Sequence, residues 1–254
     1  MSEPSHTTPA PAGPAAMSTP QTLSSIFFEP SETFTALRER PRFLVVGLIL
    51  VALTMLVTVL ILQRVDFENF MREQVERSPR AEQMSPEQKE QVIAMQSGPV
   101  GKAITYGAIL VGSVVAICGG AALYLLGVML IGGKMSYRQA LSVWVYSSFP
   151  PAVLATVVSI VTIFLKSPED IDPRKPGGGV TQSNLGLLLG PDSSPALAAL
   201  LGSFDLFAFY GLFLAAVGLR RVGRISSGSA WAVVIGLWVI FVLVRVGWAA
   251  TFGG

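Results

Sequence analysis

SFDLFAFYGLFLAAVGLRRVGRISSGSAWAVVIGLWVIFVLVRVG, residues 203–247, is the stretch that decides the fold. Two apolar segments, Phe204–Leu219 and Trp231–Val244, flank a short turn carrying Arg220, Arg221 and Arg224. The pattern predicts two antiparallel membrane helices with a basic turn at one surface. Asp205 lies 15 residues before Arg220, and Arg245 lies 14 residues after Trp231. At 1.5 Å per residue both stand roughly 20 Å from the basic turn, near the far side of a bilayer. Opposite charges at one depth on neighbouring helices are expected to pair, because an isolated charge there is costly. The expectation for Asp205 and Arg245 is therefore a structural ion pair.

Composition agrees with a membrane chain. The 254 residues are 51% hydrophobic and only 13% charged, and the mean hydropathy is +0.58. A soluble domain carries about 25% charged residues. The net charge of +2 comes with no basic tract of the kind that binds nucleic acid. Cys118 is the single cysteine, so no internal disulfide is available, and its apolar neighbours predict a buried, inert thiol. The lone histidine, His6, sits in a Pro-, Ser- and Thr-rich stretch read as a flexible tail over residues 1–20. That tail lacks the basic and apolar regions of a cleavable signal peptide. A five-span membrane domain is expected over residues 21–254.

Working outward, Phe43–Leu62 is charge-free over the length that crosses a bilayer. Spans are also expected near residues 104–131, 140–165, 204–219 and 231–247. Before the first span, Glu29–Pro30 starts a helix with Pro at N1 and Glu32 at N3. Phe27, Phe28, Phe34, Arg38, Arg40 and Arg42 mark that segment as an interfacial helix or a cap on the bundle. Ser85-Pro86-Glu87-Gln88 carries a helix-start signature. In the second span Ala108, Gly112, Ala116 and Gly120 form a small-residue stripe suited to close helix packing, with Tyr124 one step further. Gly132, Gly133 and Lys134 form the next turn; IGGKMS lacks the first glycine and the Ser or Thr of a phosphate loop. Pro150 and Pro151 are expected to interrupt the third span, after Tyr146, Ser147 and Ser148. Glu169, Asp170 and Asp172 lack the spacing of a calcium loop, and Pro195–Leu201 reads as a short helix feeding the fourth span. Trp231, Trp238 and Trp248 are expected to include interface anchors.

Basic residues cluster on one side: Arg38, Arg40 and Arg42, then Lys134 and Arg138, then Arg220, Arg221 and Arg224. Residues 64–102 hold six basic and seven acidic residues, and residues 166–202 hold three and four. The positive-inside rule then places the N-terminus in the cytoplasm and the C-terminus outside, with a bacterial plasma membrane as the default location.

IFFEPSETFTALRERPRF (26–43), RSPRAEQMSPEQKEQ (77–91) and SFDLFAFYGLFLAAVGLRRVGRISSGSAWAVV (203–234) together resemble bacterial members of the Yip1 domain family. The resemblance covers about residues 21–248 and implies five spans. Eukaryotic members of that family sit in early secretory membranes and contact small Rab-type GTPases. Their DLYGP-type signature has no match here. Asp205–Phe207 falls near the outer face, so the GTPase-contact role is not carried over.

The fold class expected is all-α: a polytopic bundle of five transmembrane helices with a short N-terminal interfacial helix. The leading functional expectation is a non-enzymatic membrane protein that recruits partners or organises membrane through its basic face. Anionic lipid headgroups and an unidentified protein would be its partners, through Phe27, Phe28, Phe34, Arg38, Arg40, Arg42, Arg220, Arg221 and Arg224. The alternative is a small transporter or channel using Tyr124, Tyr146, Ser148 and the Pro150–Pro151 break, completed by self-assembly into a homo-oligomer. Catalytic residues, cofactors and metals are not expected, since no catalytic or metal-binding motif occurs.

Overall fold

The structure, a computed structural model, describes residues 17–78, 80–167, 171, 180, 183–190 and 193–252. His6, Glu169, Asp170 and Asp172 lie outside the described residues, as does most of the stretch read as a tail. All regular elements among the described residues are helical, and five helices are long and apolar enough to cross a membrane.

The chain opens with two short helices where the sequence predicts one, α1 (Thr19–Phe28) and α2 (Pro30–Glu39). Ser18 caps α1, and Gln21 completes a capping box by accepting from the Ser18 backbone N–H. Helix α1 thus begins inside the stretch read as a tail. Ile26, Phe34 and Leu37 turn inward and are at most 1% exposed. The apolar face of α2 therefore packs on the bundle as a collar. The partner-contact reading fails for Phe34: its ring fills space beside Gly218, where a Cβ would stand only 3.0 Å from it.

Helix α3 (Leu44–Arg64) crosses on the periphery and buries only Val46. Asp66 then caps a separate helix, α4 (Phe67–Glu76), through the backbone N–H groups of Glu68 and Asn69. Helix α5 (Pro86–Ser97) starts at the Ser85 capping box and pairs with α4 through Arg72, which bonds Glu90. At the corner into α6 (Pro99–Leu130), Gly101 is required, because a Cβ would overlap the Gln96 backbone.

Helix α6 modifies two expectations. Of the small-residue stripe, only Gly120 is buried, and a Cβ there would overlap the Trp144 indole. Ala108, Gly112 and Ala116 are exposed, so they pack nothing within this chain. Cys118 is exposed as well. In a membrane helix an apolar neighbourhood does not imply burial, because the solvent is itself apolar. The helix ends in a Schellman turn: Gly133 N–H donates to Val128 O at 2.9 Å, Gly132 N–H to Met129 O at 3.0 Å, and Gly132 has φ +79°.

Helix α7 (Tyr137–Leu165) is the centre of the bundle and packs against α3, α6 and α9. It runs unbroken through Pro150 and Pro151, contrary to the expected interruption. Both prolines are buried, and Gly211 brings α9 against Pro151 and the Ser147 carbonyl. That carbonyl is one whose helical donor the Pro151 ring removes. Close packing and side-chain hydroxyls such as Ser147, which donates to Trp144 O at 3.0 Å, let membrane helices carry such breaks. Helix α8 (Pro195–Leu201) is capped by Ser194, as a short feeder before α9 (Leu206–Gly223) and α10 (Ser227–Phe252).

Candidate functional site

The basic residues converge because three connections meet at one end of the bundle. These are the end of α2, the α6–α7 turn and the α9–α10 turn. The Arg38 guanidinium donates to Arg221 O at 3.4 Å, and Lys134 N–H donates to Gly223 O at 3.3 Å. Gln139 joins the third element. Its Oε1 accepts from Ser136 N–H at 2.8 Å, closing the α7 capping box. Its Nε2 donates to Arg38 O at 2.7 Å, holding the last turn of α2.

The collar is also fixed by polar contacts. Thr22 Oγ1 and Tyr146 Oη are 3.0 Å apart in the buried interior, and Ser25 Oγ and Thr33 Oγ1 are 2.7 Å apart across the α1–α2 corner. Arg42 reaches back to Met17 O at 3.0 Å and Thr19 Oγ1 at 3.4 Å.

Two cavities open at this end. The larger, about 460 Å³, has Arg38, Lys134 and Arg224 on its walls, with Glu39 and Gln139 beside them. The smaller, about 250 Å³, sets Arg42 and Arg138 against Thr19 and Tyr146, beside the first turn of α3. Arg40, Arg220, Arg221 and Arg224 are exposed, while Arg38 and Arg42 are half-buried. Arg224 takes the left-handed conformation at φ 54° as the C-cap of α9. Such an end group accepts anions through charge-assisted hydrogen bonds, with arginine suited to forked contacts on phosphate or carboxylate.

The predicted contact residues separate into three kinds. Arg38 meets Arg221 and shares a cavity with Arg224, whereas Phe27 packs edge-on against Phe149 at 5.7 Å. Phe28 is 85% exposed and is the one aromatic of the group that stays on the surface. Lys134, Arg138 and Gln139 belong to this end by geometry; only the two cations were legible as basic-side residues. Gln139 carried a signal too, as the fourth residue of the Ser136-x-x-Gln139 capping box.

The intramembrane group is dispersed through the packing. Tyr124 sits edge-on to Trp144 at 4.9 Å, and Tyr146 is fully buried beneath the collar. Ser148 is half-buried, and Pro150 and Pro151 are inside helix contacts.

Asp205 and Arg245 line one cavity but do not form the expected ion pair. The only ion pairs among the described residues join Arg72 to Glu68 and to Glu90. Asp205 is the N-cap of α9: it accepts from Ala208 N–H at 2.9 Å and from the Ser183 hydroxyl. A single antiparallel bridge between Asn184 and Asp205 holds that arrangement. Arg245 reaches Ser203 Oγ at 3.5 Å. Equal height along two helices does not fix the direction in which each side chain points. Among the described residues there is no group of three His, Cys, Asp or Glu side chains placed to hold a metal.

Residues 24–249 match the family model of the Yip1 domain. The chain is also similar to the membrane protein YknW of Bacillus subtilis, at 28% identity over 226 residues, which is 87% of this chain and 88% of that protein. No solved structure matches.

Proposed function

The chain belongs to the Yip1 domain family, and from that premise we propose that it is a non-enzymatic membrane protein whose basic end recruits partners and gathers anionic lipid. In this reading the basic end faces the cytoplasm of a bacterial cell, the C-terminus lies outside, and the membrane is the plasma membrane. The observation that carries it is the convergence of three helix connections on two arginine-lined cavities. Arg224 on the larger cavity stands exposed, as do Arg40, Arg220 and Arg221, close by in sequence to its lining residues. Juxtamembrane cations of this number draw anionic headgroups at about 1 kcal/mol each. The collar adds a shaped surface to that charge, which a protein partner requires and a lipid does not. Transport through the Pro150–Pro151 region is disfavoured by the burial of both prolines in an unbroken helix.

The test is purification of the tagged full chain from its own membranes in mild detergent, with bound proteins and lipids identified by mass spectrometry. Arg40, Arg220, Arg221 and Arg224 are replaced together by Gln, sparing Arg38 and Arg42 because they hold the collar. A stoichiometric protein partner or retained anionic lipid that disappears in the variant is the expected result. Identical bound material in both forms would overturn the proposal.

A further inference from the structure

At the end of the bundle opposite the basic cavities, Asp205 and Arg245 line one cavity of about 300 Å³ without meeting. Among the described residues Arg245 makes a single long hydrogen bond, to Ser203. Asn184 is only 8% exposed and lines the same cavity. Its Oδ1 accepts from Gly186 N–H at 2.9 Å, which leaves its Nδ2 without a partner among the described residues. The cavity thus offers a guanidinium and a spare amide donor for an anion. It also offers a carboxylate with accepting capacity left after its two bonds among the described residues, since a carboxylate takes about four.

Charges held at the edge of an apolar layer are expensive unless matched. Among the described residues neither charge has an ion-pair partner, and a cavity with one charge of each sign is complementary to a molecule carrying an anion and a cation. Trp238 lines it as well, and an aromatic wall favours a neighbouring cation. The rim adds a further requirement. Phe241 is 60% exposed on it, and the neighbouring Leu206 is 69% exposed, so the cavity opens beside surface that faces acyl chains. A water-soluble zwitterion gains nothing from that rim, whereas a phospholipid does. The volume is at the small end of ligand cavities, about 300–1,000 Å³, which suits a headgroup alone.

We infer that this cavity binds the phosphoethanolamine headgroup of a phospholipid, with the phosphate on Arg245 and Asn184 and the ammonium on Asp205. A phosphatidylglycerol headgroup would leave Asp205 facing an anion with no cation between them. A choline headgroup has no N–H to donate to the carboxylate. The site lies at the far end of α9 from the basic cavities, so its ligand stands or falls separately from the function proposed there.

The full chain is placed in nanodiscs containing equal parts of phosphatidylethanolamine, phosphatidylglycerol and phosphatidylcholine with identical acyl chains. Lipid retained after release is counted by native mass spectrometry. The expected result is one phosphatidylethanolamine per chain, preferred over phosphatidylcholine by about fivefold or more, the weight of a single hydrogen-bonded contact. R245Q should lower that retention by at least the same factor, and D205N should erase the preference over phosphatidylcholine. Retention of phosphatidylethanolamine no better than that of phosphatidylcholine by the unaltered protein would overturn the inference without any variant having to fold. Water-soluble O-phosphoethanolamine is the second arm. If it raises the melting temperature as much as the lipid does, the ligand is the free headgroup and the lipid assignment is wrong.

Discussion

Truncating Phe34 to Ala should release the collar from the bundle. The Phe34 ring is fully buried, and its edge lies against Gly218 of α9. Removing a buried Phe side chain costs about 3–5 kcal/mol. Helix α2 has only two other buried side chains, Thr33 and Leu37, to hold it. If docking of the collar is a local equilibrium, that loss raises the undocked fraction by about 10² to a few times 10³. Trypsin reads this population. The bond after Arg40 is protected by Pro41, so cleavage after Arg38, inside α2, requires the helix to open. When reclosing outpaces cleavage, the initial rate tracks the open population. The assay is limited proteolysis at low trypsin of the reconstituted chain with its basic end accessible, with melting followed in parallel by circular dichroism. The expected result is a rise in cleavage after Arg38 of at least about 10²-fold, the lower bound of that cost, with the membrane helices intact. A rise below about tenfold, or one kcal-scale step, would show that Phe34 does not hold α2. Simultaneous loss of all helix signal would show that the collar is no separate unit. Phe34→Leu should return most of the protection.

Arg224→Gly should stabilise the fold by roughly 1 kcal/mol, because a left-handed backbone strains an L-residue and not glycine; a higher melting temperature checks it, and an unchanged or lower one refutes it. Acid should loosen the α4–α5 hairpin. The hydrogen bond from Arg72 holds the Glu90 carboxyl below the usual carboxylate range. A carboxylate held low in the folded state adds stability above its ordinary pKa and loses it as pH falls through the lowered value. Amide exchange across α4 and α5 should therefore accelerate as pH drops below that range, after correction for intrinsic rates. R72Q should show the faster exchange already at neutral pH, and exchange insensitive to R72Q would refute the pairing.

The spans were legible because apolar length is a direct physical demand of the bilayer. Phe43–Leu62 and the hairpin from residue 203 announce themselves, and the observed helices extend them by a few residues. What remained hidden was direction around the helix axis. Phe34 sits on an apolar stripe that suits lipid and protein equally, and only the small residue at Gly218 decides for protein. Asp205 and Arg245 do line one cavity, but capping geometry took the carboxylate away from its expected partner. Cys118 and the Ala108–Ala116 stripe show the same ambiguity, since apolar solvent removes the usual link between hydrophobicity and burial. Helix α1 is a different case. Ser18-Thr19-Pro20-Gln21 carries a start signal closely related to that of Ser85-Pro86-Glu87-Gln88, and a tail-like composition masked it. At the candidate site, charge clustering could be read from sequence, while the cavities depend on three turns meeting in space.

Gln139 spends one amide on two structures, its oxygen on the start of α7 and its nitrogen on the end of α2. Anything that lifts the collar must break the second bond, and the freed side chain then recovers rotamers in which it no longer caps α7. Collar release and fraying of the central helix are therefore linked equilibria, and linkage is reciprocal. A ligand that seats between Arg38, Lys134 and Arg224 acts on both at once. Its binding energy is felt along α7 as a change in how firmly that helix begins, and a disturbance inside the membrane travels the same route outward to the basic surface.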